Sequence, residues 1–248
     1  MKKFRVNFLF VIFVVIAIMI GLSKELLAIL LCFTIHEFGH LLFIILFKYK
    51  VNNFNLYPFG GVISYQEKND FIYKELLIMT GGIVFNLIFV LVFHLLNLTL
   101  LSKTNMYFVI LNSLPVNPLD GGRILIIFLS LFLPNKLSKT IVYCFSIFVV
   151  ILMLFLLKVD GVYLYFIILL ILKENILNLL KVKEEYNKFL LIKHLNTNRK
   201  LRDKITKFWT FDPIDSLFRG RNMIFDYETF KISEEELLKK HFKIKKDY

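Results

Sequence analysis

The sequence predicts an all-α integral membrane protein of about six transmembrane helices, with a short membrane-associated β-hairpin and a small cytosolic C-terminal tail. Three observations carry this. The 248 residues are 57% hydrophobic and include 28 phenylalanines, against the roughly 45–50% apolar usage of soluble domains. Apolar runs near the about 20 residues that cross a hydrocarbon core recur from Phe8 to Leu180. Lysine and arginine are dense in alternate connections, which sets an orientation.

The first expected span, Phe8–Leu22, is short. Lys2, Lys3 and Arg5 before it and Gly21 and Ser23 at its end also fit a signal peptide, but the next apolar run follows within a few residues, so an uncleaved span is expected. The second is Leu26–Phe47 and the third Leu76–Leu98. The fourth, Met106–Leu133, is interrupted by Pro115, Pro118 and Gly121-Gly122, residues that break or bend a helix. The fifth is Thr140–Leu157 and the sixth Val162–Leu180. With the N-terminus inside, the inner segments hold Lys2, Lys3, Arg5, Lys48, Lys50, Lys68, Lys74, Lys136 and Lys139, and the outer loops only Lys24, Lys103 and Lys158. The N-terminus and tail are therefore expected to be cytosolic.

Residues 51–73 read as β-prone stretches around a turn at Pro58, Gly60 and Gly61. A hairpin dipping toward the membrane is expected, tolerated at depth where it lines a protein cavity; an ordinary surface loop is the alternative. The membrane unit is drawn as 1–180 and the cytosolic region as 181–248. In the tail, Ser233 and Glu236 have the spacing of a capping box before a helix at Leu237–Phe242. Both parts are basic, with 14 basic against 8 acidic residues up to Leu180 and 17 against 11 beyond it. No nucleic-acid motif accompanies that charge, so the lipid bilayer, and not nucleic acid, is the expected partner. Cys32 and Cys144 lie in apolar runs and imply no disulfide. Glu174, Asn175 and Asn178, near the inner end of the sixth span, are expected to be solvated or snorkelling.

The chemistry concentrates in the second and fourth spans. His36 and His40 are four residues apart and share one helix face, as metal ligation requires. Glu37 between them is placed for the general base of a metal-assisted hydrolysis. Ionisable groups at that depth are costly and point to function. A catalytic zinc site takes three protein ligands, and Asp120 in the broken fourth span is the acid able to turn inward as the third; a turn residue paired with Arg123 is its alternative. Asn112, one turn before the break, is either a donor to a developing oxyanion or a polar residue satisfying freed backbone. Asn86 follows Gly81-Gly82 and is placed to line the site. The cofactor expected is one zinc ion.

These residues bring a family into view. Through IHEFGHLL (Ile35–Leu42) and NSLPVNPLDGG (Asn112–Gly122), and more loosely LYPFGGVI (Leu56–Ile63) and GGIVFN (Gly81–Asn86), the chain resembles the site-2 protease family of intramembrane zinc metalloproteases. The resemblance implies a zinc held by His36, His40 and Asp120, Glu37 as base, and Asn112 assisting in the oxyanion region. It also implies that Pro58, Phe59, Gly60 and Gly61 form a membrane-embedded hairpin that presents substrate as a strand. Ile83 stands where the family usually has proline, a departure that touches Asn86 and not the metal site. The layout is similar to the sporulation branch, which cleaves the pro-sequence of a late sporulation sigma factor and often carries a CBS domain, so the tail is expected to be a reduced CBS-like domain. The partners implied are a membrane-associated protein precursor and inhibitory membrane proteins, in a bacterial cytoplasmic or forespore-surrounding membrane. A non-catalytic membrane metal-binding or partner-binding protein is the other reading. Glu37, which serves chemistry and not binding, weighs against it.

Overall fold

The computed structural model describes residues 3–6, 8–57, 60–65, 71–156, 162–195, 201, 203–207, 213–227 and 230–244. Strand β1 (Lys3–Val6) leads into α1 (Phe8–Met19), α2 (Ser23–Leu46), the strands β2 (Val51–Tyr57) and β3 (Gly60–Tyr65), and α3 (Ile72–Leu95). Then come α4 (Thr99–Ser113), α5 (Asp120–Leu129), α6 (Asn135–Leu156) and α7 (Val162–Leu195). The tail adds β4 (Asp203–Lys207), a 3-10 turn (Pro213–Ser216), β5 (Asn222–Tyr227), β6 (Phe230–Ser233) and α8 (Glu234–Ile244).

Among the described residues, α2, α3 and the Asn135–Phe155 stretch of α6 are long and apolar enough to cross a membrane. Their outward faces stay apolar: Leu27, Phe38 and Ile45 on α2, Leu87 and Leu91 on α3, and Phe148 and Phe155 on α6 are exposed, far more than a soluble surface carries. Helix α1 has 12 residues, about 18 Å at 1.5 Å per residue. Where one fourth span was expected, two helices stand. Helix α4 stops at Ser113 because Leu114 precedes a proline and takes φ −62°, ψ 133°, the extended region such residues are pushed into. Helix α5 restarts at Asp120. Helix α7 runs past Leu180 without a break, for 34 residues.

Helix α3 packs on α2, α4 and α5, and α6 packs on α5 and α7. The α2–α3 crossing is backbone to backbone. A Cβ on Gly39 would lie 2.4 Å from Gly81 O, and one on Gly81 would lie 2.6 Å from Gly39 O. Small residues at such crossings let membrane helices approach closely.

Strands β2 and β3 form an antiparallel hairpin. Strand β1 joins it in parallel, pairing Lys3–Val6 with Asn53–Leu56, a third strand that the sequence reading did not contain. The tail sheet repeats this layout, with β4 parallel and β6 antiparallel to the central β5. Its core joins Tyr186 and Leu190 of α7 to Leu217, Met223, Phe225 and Leu238. A buried Lys193–Glu234 pair at 2.8 Å ties α7 to α8. The capping box forms as expected, Glu236 N–H donating to Ser233 Oγ and Ser233 N–H to Glu236 Oε2, each at 3.3 Å. The tail touches the helical part through Asn135 N–H to Leu217 O at 3.1 Å and Arg219 Nε to Glu75 Oε2 at 2.7 Å.

Candidate metal centre

The helical pitch of α2 stacks His36 and His40 on its inner face, with ring centroids 4.8 Å apart and edge to face. Asp120, in the first turn of α5, meets them. Its Oδ2 lies 2.9 Å from His36 Nε2 and 3.1 Å from His40 Nε2, and the two Nε2 atoms are 3.1 Å apart. All three side chains are buried. Their donor atoms lie within 4.8 Å of one another, as a group able to hold a metal ion.

The chemistry of the donors fits a cation. His40 Nδ1 lies 2.7 Å from Ile78 O. A carbonyl only accepts, so Nδ1 carries a proton, and Nε2 is the nitrogen turned toward Asp120. An imidazole whose far N–H is fixed on a carbonyl is the usual state of a metal-bound histidine. Two imidazole nitrogens and a carboxylate oxygen make a zinc-type set of three.

Glycines let neighbouring elements close on this point. A Cβ on Gly82 of α3 would fall 2.5 Å from His40 Nε2 and 2.6 Å from His36 Cε1, so α3 backs the imidazoles with bare backbone. A Cβ on Gly61 of β3 would fall 2.6 Å from the Glu37 carboxyl carbon. The hairpin thus reaches the carboxylate that sits beside, and not within, the ligand trio. The cavity here is lined by His36, Glu37, His40, Gly61, Asn112 and Asp120, among others.

The break that delivers Asp120 is folded tightly. Val116 N–H donates to Leu114 O at 2.7 Å and Leu119 N–H to Val116 O at 3.0 Å. A Cβ on Gly121 would lie 2.2 Å from Leu114 O, and one on Gly122 would lie 2.3 Å from Asn117 N. Both positions therefore demand glycine.

Of the residues singled out in the sequence, His36, Glu37, His40, Gly61, Asn112 and Asp120 converge on the cavity. Gly60 lies beside Gly61 in β3, opposite Tyr57. Pro58 and Phe59 lie outside the described residues. Asn112 donates through Nδ2 to Phe108 O at 3.1 Å, a bond to its own helix. Asn86 is fully buried and is not among the cavity-lining residues. It lies one turn past Gly82 on α3. Asn175, expected to be solvated, is fully buried and donates to Asn117 O. Ser146 and Asn117 were not foreseen either; Asn117 N–H donates to Ser146 Oγ at 3.0 Å. The one available signal was polarity in an otherwise apolar span.

The chain is similar to known proteins in sequence and in fold. Residues 24–102 match the profile of Peptidase family M50. Stage IV sporulation protein FB of Bacillus subtilis (strain 168) is 30% identical over 146 residues, covering 53% of this chain and 51% of that protein. The chain thus spans about half the length of that curated relative. Among solved structures, the site-2 protease from Methanocaldococcus jannaschii superposes with a TM-score of 0.53 at 23% identity, over 74% of this chain and 90% of the other, a likeness of fold. The family match takes in His36, Glu37 and His40, and the fold that resembles a site-2 protease is the one that brings Asp120 to them; in this region the chain is similar to peptidase family M50.

Proposed function

We propose that the chain is an intramembrane zinc endopeptidase acting on membrane-associated protein precursors. The observation that carries this reading is the buried convergence of His36 Nε2, His40 Nε2 and Asp120 Oδ2 beside Glu37. Zinc bound there would supply Lewis acidity, polarising the scissile carbonyl and acidifying water. Glu37 holds the proton taken from water on its carboxylate and returns it to the leaving amine. His40 is kept in the required tautomer by Ile78 O. Strand β3, paired with β2 along its other edge, is placed for an extended substrate segment to add beside Gly61, and a backbone in that form is open to attack. Asn112 lines the same cavity and is the candidate oxyanion donor.

The membrane layout we infer has six spans, with the N-terminus and a tail of residues 181–248 in the cytosol. Three apolar helices, the α4–α5 pair and the lysine asymmetry support it. A reduced CBS-like fold for the tail is supported by its three-stranded sheet with one flanking helix. The substrate class we infer is a sporulation pro-sigma factor, supported by the likeness to a stage IV sporulation protein; inhibitory membrane partners belong to the same reading.

The test is Glu37→Gln, co-expressed with a candidate precursor. It should keep metal and lose cleavage, which mass analysis of fragments reads directly. Normal processing by this variant would sink the assignment and leave a metal-binding membrane protein in its place.

A further inference from the structure

Between Ser113 and Asp120 the chain has left the helix, and backbone away from water must find partners within the protein. Two of those partners come from helices that touch no reacting group. Asn117 N–H donates to Ser146 Oγ of α6 at 3.0 Å. Asn117 O accepts from Asn175 Nδ2 of α7, an amide that also donates to Ile171 O at 2.8 Å. Ser146 and Asn175 are both at 0% exposure. Asn117 thus has its N–H and C=O gripped from two sides, three residues before the acid that faces His36 and His40.

The grip is transmitted. With only 2.3 Å between a Cβ on Gly122 and Asn117 N, the first turn of α5 lies directly on the Asn117 backbone. Asp120 sits in that turn, so a shift of Asn117 moves the carboxylate. An asparagine and a serine inside apolar spans are costly, and this contact is what they do there.

We propose that Ser146 and Asn175 are positioning residues for the third metal ligand. They clamp the Asn117 peptide so that Asp120 Oδ2 is held against the two imidazoles before metal arrives. This rests on the metal-site reading above.

The experiment uses the full chain in detergent, loaded with Zn²⁺ or Co²⁺. Metal affinity is read by chelator competition and ligand geometry by the Co²⁺ absorption bands. The variants are Ser146→Ala, Asn175→Leu, Asp120→Ala and the Asn175→Leu/Asp120→Ala double. Each clamp variant should bind metal about 10–100-fold more weakly, the range for supporting partners of metal ligands, with altered Co²⁺ bands. In the Asp120→Ala background, Asn175→Leu should add nothing, the non-additivity expected of residues acting through one another. Ser146→Ala, the smaller change, decides the matter if Asn175→Leu does not fold. Wild-type affinity and bands in the clamp variants, or the same loss with and without Asp120, would overturn the clamp alone. A wild type that takes up no metal would overturn the clamp and the metalloprotease reading together.

Discussion

His36 and His40 need only the pitch of α2 to face one point, whereas Asp120 reaches that point from a segment that has left its helix. The α2 half of the site is local, with two of the proposed ligands and Glu37 inside five residues. The α5 half is imported. It depends on Leu114 being forced out of the helix before Pro115, on Gly121 and Gly122 letting the break fold onto α5, and on Ser146 and Asn175, 29 and 58 residues downstream of Asn117. A ligand pair built on one helix survives small displacements of its neighbours. A ligand delivered by a fractured helix is only as well placed as the groups that hold the fracture.

The largest effect expected from this contrast is the loss of the proposed imported ligand itself. Asp120→Ala should lower metal affinity more than 100-fold, beyond the about 10–100-fold typical of supporting partners. Metal content of the purified variant checks it, and full occupancy would place the third ligand elsewhere. The next is Gly122→Ala, whose methyl must displace Asn117 backbone. We expect about 1–3 kcal/mol of destabilisation from overpacking, together with weaker metal binding. Gly82→Ala first meets the far ends of two imidazoles, so metal affinity should fall with little change in the melting of the metal-free protein. Equal loss of stability in both would erase the distinction between a backbone and a side-chain neighbour.

How much of this could be read from the chain follows the same division. The four-residue histidine spacing is a property of one helix and is visible at once. The break was legible too, because proline and glycine announce it through their own conformational limits. Its supports were not. Whether Asn175 is solvated or buried depends on which helix packs against α7, and no local pattern encodes that. For the same reason β1 was invisible: Lys3–Val6 becomes a strand by pairing with Asn53–Leu56, across about fifty residues. Asn86, one turn beyond Gly82, reads as site-facing from linear spacing alone; it is buried and does not line the cavity.

Gly61→Ala tests the third component, the hairpin. The three atoms nearest to its methyl would all belong to the Glu37 carboxylate. Metal affinity should stay at the wild-type value, while cleavage of a precursor drops about 10–100-fold, the scale of a misplacement near 1 Å. Loss of metal in this variant would mean that the hairpin supports the ligands and does not act through Glu37.

The smallest effect is expected at Ser233, where a local device stands far from the site. Ser233 and Glu236 satisfy each other's N–H groups within four residues, so nothing outside the first turn of α8 is needed to make the cap. Ser233→Ala should cost about 1 kcal/mol, seen as faster amide exchange at the start of α8. The adjacent Glu234 keeps its own bonds to Lys193 Nζ and to Met223 N–H, so the loss has no route to the Leu217–Asn135 and Arg219–Glu75 contacts with the helices. Metal affinity and cleavage should be unchanged. A fall in either would show that the tail loads the metal centre mechanically, and that even a self-contained cap is coupled to the imported half of the site.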